Sequence, residues 1–106
     1  VVCNLTGMDA ANASVYDGAT AVIEGALMAC RLTKKNKIIL SKSLYPEAIE
    51  VCKSYTWGAN LEIDFVDFSS ETGVTDLEAL KKKMDDKTAC FVVSYPNFGG
   101  CIEPIK

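Results

Sequence analysis

The hydrophobic positions of this chain alternate between helical spacing and short, continuous apolar runs. From Gly18 to Leu32 polar residues are almost absent, so a helix here is expected to be buried on most of its sides. Asp17 and Ser14 are both good N-cap residues for this helix, and lysines follow its end, where the helix dipole favours positive charge. Three apolar runs then predict strands, at Lys37–Leu40, Leu61–Val66 and Thr88–Tyr95.

Two further helices are expected between these strands. Pro46 suits the first position of a helix that runs to Gly58. The N–H of the first helical residue has no partner within the helix, and proline has no N–H to leave unpaired. Thr75, followed three residues later by Glu78, forms a capping box for the other helix. The resulting order, helix and strand in alternation, is typical of right-handed βαβ units. We therefore predict an α/β fold with three α/β/α layers and a mostly parallel sheet, in one domain over residues 1–106.

The polarity of the strands predicts their order in the sheet. The first and third strands are the most apolar and are expected to be central, whereas Leu61–Asp67 carries charges and is expected at an edge. This gives the order second, first, third, with a switch point between the first and third strands. Ligands of open α/β sheets bind beyond the C-terminal ends of the strands at such a point.

Composition and charge exclude several classes of function. The net charge of −3 provides no attraction for nucleic acid or for an anionic membrane surface. No apolar run approaches the ~20 residues that cross a bilayer, and the first residues lack the features of a signal peptide. The five cysteines are irregularly spaced, which argues against a disulfide framework and favours reduced thiols in a cytoplasmic protein.

The sequence contains no histidine, and this absence restricts the possible chemistry. Ser-His-Asp and Cys-His catalysis are excluded, and a zinc site is not expected without histidine or a CxxC pair. We therefore predict neither catalytic residues nor a metal site in this chain.

The start of the buried helix is a candidate phosphate site. The turn formed by Asp17, Gly18, Ala19 and Thr20 offers free N–H groups and the positive end of the helix dipole. Gly18 would allow an anion to approach the backbone, and Thr20 would add a hydroxyl donor. The alternative is an ordinary capped helix, because the Asp17 carboxylate would cap the helix itself and repel a phosphate. The residues alone leave both possibilities open.

Two loops at the C-terminal ends of strands carry the other candidate groups. Tyr45 follows the first strand and could stack on a planar ring, and Asn97 follows the third strand and could form a hydrogen bond with one. Each residue also fits a purely structural role, Tyr45 in packing and Asn97 in a turn. Lys42 is the lysine nearest to these loops, and a solvated side chain is the expected state for it.

Four segments, in order along the chain, carry a resemblance to a known family. They are Leu5–Ala21 (LTGMDAANASVYDGATA), Ser41–Glu47 (SKSLYPE), Gly73–Leu80 (GVTDLEAL) and Tyr95–Gly100 (YPNFGG). The chain resembles the first subunit of the glycine cleavage P-protein family, glycine dehydrogenase (decarboxylating). The resemblance implies that the chain forms part of the large domain of a fold type I pyridoxal-phosphate (PLP) transferase. It also implies an oxidoreductase of glycine catabolism, which decarboxylates glycine and passes the aminomethyl group to the lipoyl H-protein.

The resemblance further implies how the cofactor is held. The lysine that binds PLP would lie in subunit 2, so subunit 1 would be a non-catalytic partner without a covalent cofactor. The positions of subunit 1 that correspond to cofactor-binding residues would be vestigial or would lie at the interface between the subunits. By analogy with PLP enzymes, the phosphate-binding turn is matched by Asp17, Gly18, Ala19 and Thr20, the ring-stacking position by Tyr45, and the residue facing the ring oxygen by Asn97.

Two other functions remain open. A self-sufficient PLP enzyme, such as an aminotransferase or a desulfurase-like protein, would need a Schiff-base lysine outside this chain. A phosphate-binding module without enzymatic activity would be expected to have a Gly-rich loop directly after a strand, and no GxGxxG or GxxxxGK[ST] pattern occurs here. As part of a larger domain, which the resemblance implies, the chain would lack neighbouring strands and would expose apolar edges and faces of its sheet. We therefore predict that it associates with itself.

Overall fold

The computed structural model describes residues 1–105. From Gly18 onward its helices and strands follow the predicted order, and one short helix precedes them. The third strand is shorter than predicted, since it ends at Val92 rather than at Tyr95. The helices are α1 (Val2–Thr6), α2 (Gly18–Thr33), α3 (Pro46–Ala59) and α4 (Leu77–Lys83), and the strands are β1 (Lys37–Ser41), β2 (Glu62–Val66) and β3 (Thr88–Val92).

The sheet is parallel and has the predicted order, β2–β1–β3. Leu40 of β1 lies opposite Phe65 of β2 on one side and Val92 of β3 on the other. The predictions that β1 is central and that β2 lies at an edge are confirmed. The expectation that β3 is also central is wrong for residues 1–105, because no described strand pairs with its outer side and its residues are only half-buried.

The core of the molecule lies around β1. Ile38, Ile39 and Leu40 are completely buried, and α2 packs against α3 as well as against β1 and β3. The crossovers from β1 to β2 and from β2 to β3 run in opposite directions across the sheet, so right-handed connections place α3 and α4 on opposite faces. The predicted three-layer α/β/α class is therefore confirmed.

The two helix caps show one correct and one wrong prediction. Asp17 caps α2, as expected, because its carboxylate accepts a hydrogen bond from the Thr20 N–H. Thr75 does not cap α4; Asp76 does, since its Oδ1 accepts from the N–H groups of Glu78 and Ala79, each at 3.0 Å. The Thr75 side chain instead points into the protein and is 4% exposed.

At the opposite end of β1, the buried ammonium group of Lys37 has hydrogen-bond acceptors within the chain. Lys37 Nζ donates to the Lys83 carbonyl oxygen at 2.7 Å and to Asp85 Oδ2 at 3.1 Å. This ammonium therefore fixes the end of α4 to the start of the central strand.

No helix among residues 1–105 combines the length and the hydrophobicity that a membrane crossing requires.

Candidate functional site

Five polar side chains are buried together at the C-terminal end of the sheet. Ser41 is the last residue of β1, and the loops after all three strands bring the others to it, since the C-terminal ends of parallel strands meet at one edge. Each of the five is at most 6% exposed. Among residues 1–105, every buried side-chain nitrogen or oxygen has a hydrogen-bond partner. We call this group the carboxyl-end cluster: Ser41, Ser43, Thr75, Asn97 and Glu103.

The carboxylate of Glu103 joins the members of the cluster. Its Oε1 accepts from Ser43 Oγ, Thr75 Oγ1 and Asn97 Nδ2, each at 3.0 Å, and its Oε2 accepts from the Thr75 N–H at 2.9 Å. Burial by itself would raise the pKa of Glu103, but the hydrogen bonds from Asn97, Thr75 and Ser43 outweigh it and hold the pKa below its usual value. Glu103 is therefore an ionised, fully hydrogen-bonded carboxylate at neutral pH.

The hydroxyl groups of the cluster form a closed ring with this carboxylate. Ser41 Oγ lies 2.7 Å from both Ser43 Oγ and Thr75 Oγ1, and each of these two contacts Glu103 Oε1. The ring thus has four oxygen–oxygen contacts, whereas its three hydroxyl groups supply three protons when Glu103 is ionised. Ser41 therefore donates to only one of its two neighbours, and one contact always lacks a proton.

A cavity of about 350 Å³ opens beside the cluster. Its polar lining comes from Ser43 and Asn97 of the cluster and from the charged residues Lys42 and Glu50. Its volume lies at the small end of the range for ligand pockets, and its location is the usual one for α/β proteins. Most of its surface is apolar and comes from Leu44, Pro46, Ile49, Phe68 and Phe98.

Gly73 allows the loop after β2 to fit against the segment after β3. Its φ of +71° is in the left-handed region that favours glycine. A Cβ atom at this position would lie 2.6 Å from the sulfur of Cys101. Both the backbone conformation and the close approach therefore require glycine here.

The predicted phosphate turn and Tyr45 are brought together by the fold. Asp17 Oδ1 accepts from the Thr20 N–H at 2.8 Å, and this bond is the main cause of the lowered pKa of Asp17. The Tyr45 hydroxyl lies over Gly18, where an added Cβ would be 3.0 Å away. Burial, and next the charge of Asp17, raise the pKa of Tyr45.

Asn97 lies in the carboxyl-end cluster, and its whole amide is used there. Nδ2 donates to the Gly73 carbonyl oxygen at 2.8 Å and to Glu103 at 3.0 Å, while Oδ1 accepts from the Cys101 N–H at 3.0 Å. Lys42 is exposed, as expected, and forms an ion pair with Asp67 at 2.8 Å. No group of three potential metal-binding side chains occurs within the described range, residues 1–105.

Sequence reasoning named only Asn97 among the five members of the carboxyl-end cluster and missed the other four: Ser41, Ser43, Thr75 and Glu103. Glu103 follows the last strand in a short stretch with no periodic pattern, so nothing local distinguishes it from a surface carboxylate. Thr75 was assigned to a cap by the Thr–Glu spacing of a capping box. The available signal was Ser41, a polar residue at the end of a strongly apolar strand, because a buried hydroxyl group requires partners.

The family model described as glycine cleavage system P-protein matches residues 1–106. This chain belongs to that family. Among P-protein relatives, it is 51% identical to the probable glycine dehydrogenase (decarboxylating) subunit 1 of Geobacillus sp. (strain WCH70) and 50% identical to that of Bacillus subtilis (strain 168), over 106 residues in both cases. These matches cover 100% of the chain but only 23% of each relative. The chain therefore spans about a quarter of the length of these relatives.

A solved P-protein structure has the same fold. The chain is similar to the crystal structure of glycine decarboxylase (P-protein) of the glycine cleavage system in inhibitor-bound form, with a TM-score of 0.86 and 32% sequence identity. The match covers 96% of this chain and 22% of that one. The family resemblance and the fold class expected from the sequence are thus both confirmed.

Proposed function

We propose that this chain is part of subunit 1 of glycine decarboxylase and supplies structure rather than catalytic groups. The family match over the whole chain and the names of the relatives support this assignment. In this proposal the assembled enzyme decarboxylates glycine and passes the aminomethyl group to the lipoyl H-protein. Residues 1–106 form one α/β domain, as part of the large domain of the subunit, in the cytoplasm.

The predicted phosphate turn, as it stands, does not fit the phosphate of PLP. The Asp17 carboxylate already accepts from the Thr20 N–H at 2.8 Å, which is one of the donors that a phosphate would need. Its negative charge also repels a second anion at the same helix end. The turn is thus capped by its own side chain.

Asn97, which was expected to face the cofactor ring, and Lys42, the nearest lysine, are also in use within the chain. Both amide hydrogens of Asn97 are donated within the chain, to Gly73 and Glu103. The Lys42 ammonium pairs with Asp67 in an exposed position, where nothing removes it from solvent as a Schiff-base lysine requires. This internal use of the candidate groups is the observation that carries the proposal of a non-catalytic chain.

We infer that PLP is held by subunit 2 and that the turn of residues 17–20, with Tyr45, faces that subunit. The preceding stretch, residues 8–16, has no regular structure and is mostly exposed. Tyr16 is 93% exposed and Met8 is 64% exposed. Tyrosine and methionine are enriched in protein interfaces, so this stretch is suited to contact a partner beside the turn.

The test is to mix the chain with PLP, with and without subunit 2, reduce with borohydride and measure intact masses. We expect an adduct on subunit 2 and none on this chain, because the chain presents no desolvated lysine. A stoichiometric adduct on this chain that disappears in Lys42→Gln would contradict the proposal and would favour a self-sufficient PLP enzyme. Non-specific adducts on surface lysines are recognised because Lys42→Gln leaves them unchanged.

A further inference from the structure

Three separate loops meet at a single carboxylate. Glu103 accepts from Ser43 in the loop after β1, from Thr75 in the loop after β2, and from Asn97 in the segment after β3. Its Oε1 accepts three of these bonds, and hydrogen bonds to a charged group are stronger than those between neutral groups. The relative positions of the three loops therefore depend on one side chain.

The segment after β3 has little else to hold it. Residues 96–105 contain no helix or strand. Two further hydrogen bonds join the segment to the neighbouring loops, from the Phe98 N–H to the Ser43 carbonyl oxygen at 2.8 Å and from Asn97 Nδ2 to the Gly73 carbonyl oxygen at 2.8 Å. The Phe98 side chain is 67% exposed, so it contributes little burial.

We infer that Glu103 is a positioning residue, which holds the segment of residues 96–103 against the sheet and thereby fixes Asn97 and one wall of the cavity. Loss of its carboxylate opens this segment locally while the sheet stays folded, because the core around β1 does not include the segment. Glu103 has this role whether or not the site meets a cofactor, since all of its partners belong to this chain.

Cys101 is a natural reporter for this opening. It is half-buried, its N–H donates to Asn97 Oδ1, and its sulfur packs against Gly73. Cys30 and Cys52 are buried in the core and report global unfolding in the same sample. Alkylation of the native chain, followed by mass spectrometry of each cysteine peptide, separates the two kinds of opening.

In Glu103→Ala we expect the Cys101 alkylation rate to rise on the order of tenfold or more, since a lost hydrogen bond to a charge corresponds to at least that factor in the opening equilibrium. The rates at Cys30 and Cys52 should not change. Glu71→Gln is the matched control, because Glu71 is an exposed carboxylate in the loop after β2 and should leave every rate unchanged.

Three further variants separate positioning from a change in local charge. Glu103→Gln keeps an acceptor for Ser43, Thr75 Oγ1 and Asn97 but loses the bond from the Thr75 N–H, so its opening should lie between those of the wild type and Glu103→Ala. Asn97→Asp places two carboxylates together and should open the segment strongly. Adding Glu103→Gln to Asn97→Asp restores a donor–acceptor pair and should partly close it.

Hydrogen exchange at the Phe98 N–H gives a readout that does not depend on thiol ionisation. We expect its exchange to accelerate in the same order as the Cys101 alkylation. Unchanged rates at both positions in Glu103→Ala would overturn the inference. Equal acceleration at Cys30 and Cys52 would also overturn it, because Glu103 would then support the whole fold. Neither measurement involves subunit 2 or PLP, so either result leaves the proposed function to its own test.

Discussion

Leu40 and Ser41 are neighbours in β1, and both are completely buried, yet they are stabilised in different ways. Leu40 belongs to the apolar core, where α2 and α3 cover the sheet and any hydrophobic neighbour of suitable size contributes. Ser41 belongs to the carboxyl-end cluster, where each oxygen needs a specific partner. One of the contacts in that cluster, from Ser43 to Glu103, joins residues 60 positions apart in the chain.

The apolar core and the carboxyl-end cluster are expected to respond differently to the removal of a side chain. Removing an apolar side chain from the core has a cost that scales with the volume lost. Removing one member of a polar cluster has a cost that depends on which donors and acceptors lose their partners. The core is therefore expected to determine the stability of the whole chain, and the cluster to determine the arrangement of its loops.

The largest effect is expected for the core. Leu40→Ala should lower the free energy of unfolding by about 2–5 kcal/mol, because it leaves a cavity beneath the sheet. Chemical denaturation followed by circular dichroism measures this change. Leu32→Ala is the matched control, since Leu32 is 77% exposed and its loss should cost far less. Similar losses in both variants would mean that burial in the core does not dominate stability.

The contact between the loop after β2 and the segment after β3 is expected to be sensitive at Gly73. Gly73→Ala should cost about 2 kcal/mol, because a residue with a Cβ is strained at positive φ and also meets the Cys101 sulfur. Adding Cys101→Ala should recover the part due to the collision but not the part due to the backbone. Full recovery in the double variant would assign the whole cost to packing.

The stability of the chain at alkaline pH tests the burial of the Cys52 thiol in the core. Burial, with a smaller contribution from Cys90, raises the pKa of Cys52 from 9.0 to about 11. Because the folded state holds this proton more tightly than the unfolded state, stability is complete below pH 9 and falls as the pH rises toward 11. At pH 10 the loss should be about 1 kcal/mol. Cys52→Ala should lack this part of the pH dependence, and an unchanged slope would place the titrating group elsewhere.

The smallest effect is expected in the polar cluster itself. Ser41→Ala should cost only ~1 kcal/mol, although Ser41 is as buried as Leu40. Ser43 and Thr75 keep Glu103 as their acceptor, and only the 3.2 Å bond from the Ser43 N–H loses its partner. Thermal denaturation of this variant beside Leu40→Ala measures the contrast directly. A loss as large as that of Leu40→Ala would show that the ring of hydroxyl groups is a cooperative unit.

The same contrast explains how far the sequence predicts the structure. The strand order and the helix positions follow from local patterns, as at Pro46, where the first turn of a helix is encoded by one residue. Glu103 and Thr75 could not be assigned to a site, since their roles depend on partners that only the folded chain brings together. Within residues 1–105, β3 lies at an edge although its composition predicts a central strand, because apolar composition alone does not tell which strands lie beside it.

The outer side of β3 has a consequence for every measurement of stability on this chain. Its backbone N–H and C=O groups find no partner strand within residues 1–105, and its side chains are half-buried. A second copy that pairs there would bind the folded state but not the unfolded one, and mass action would then raise the melting temperature as the protein concentration increases. The free energy of unfolding of such a chain is a property of the solution as well as of the molecule.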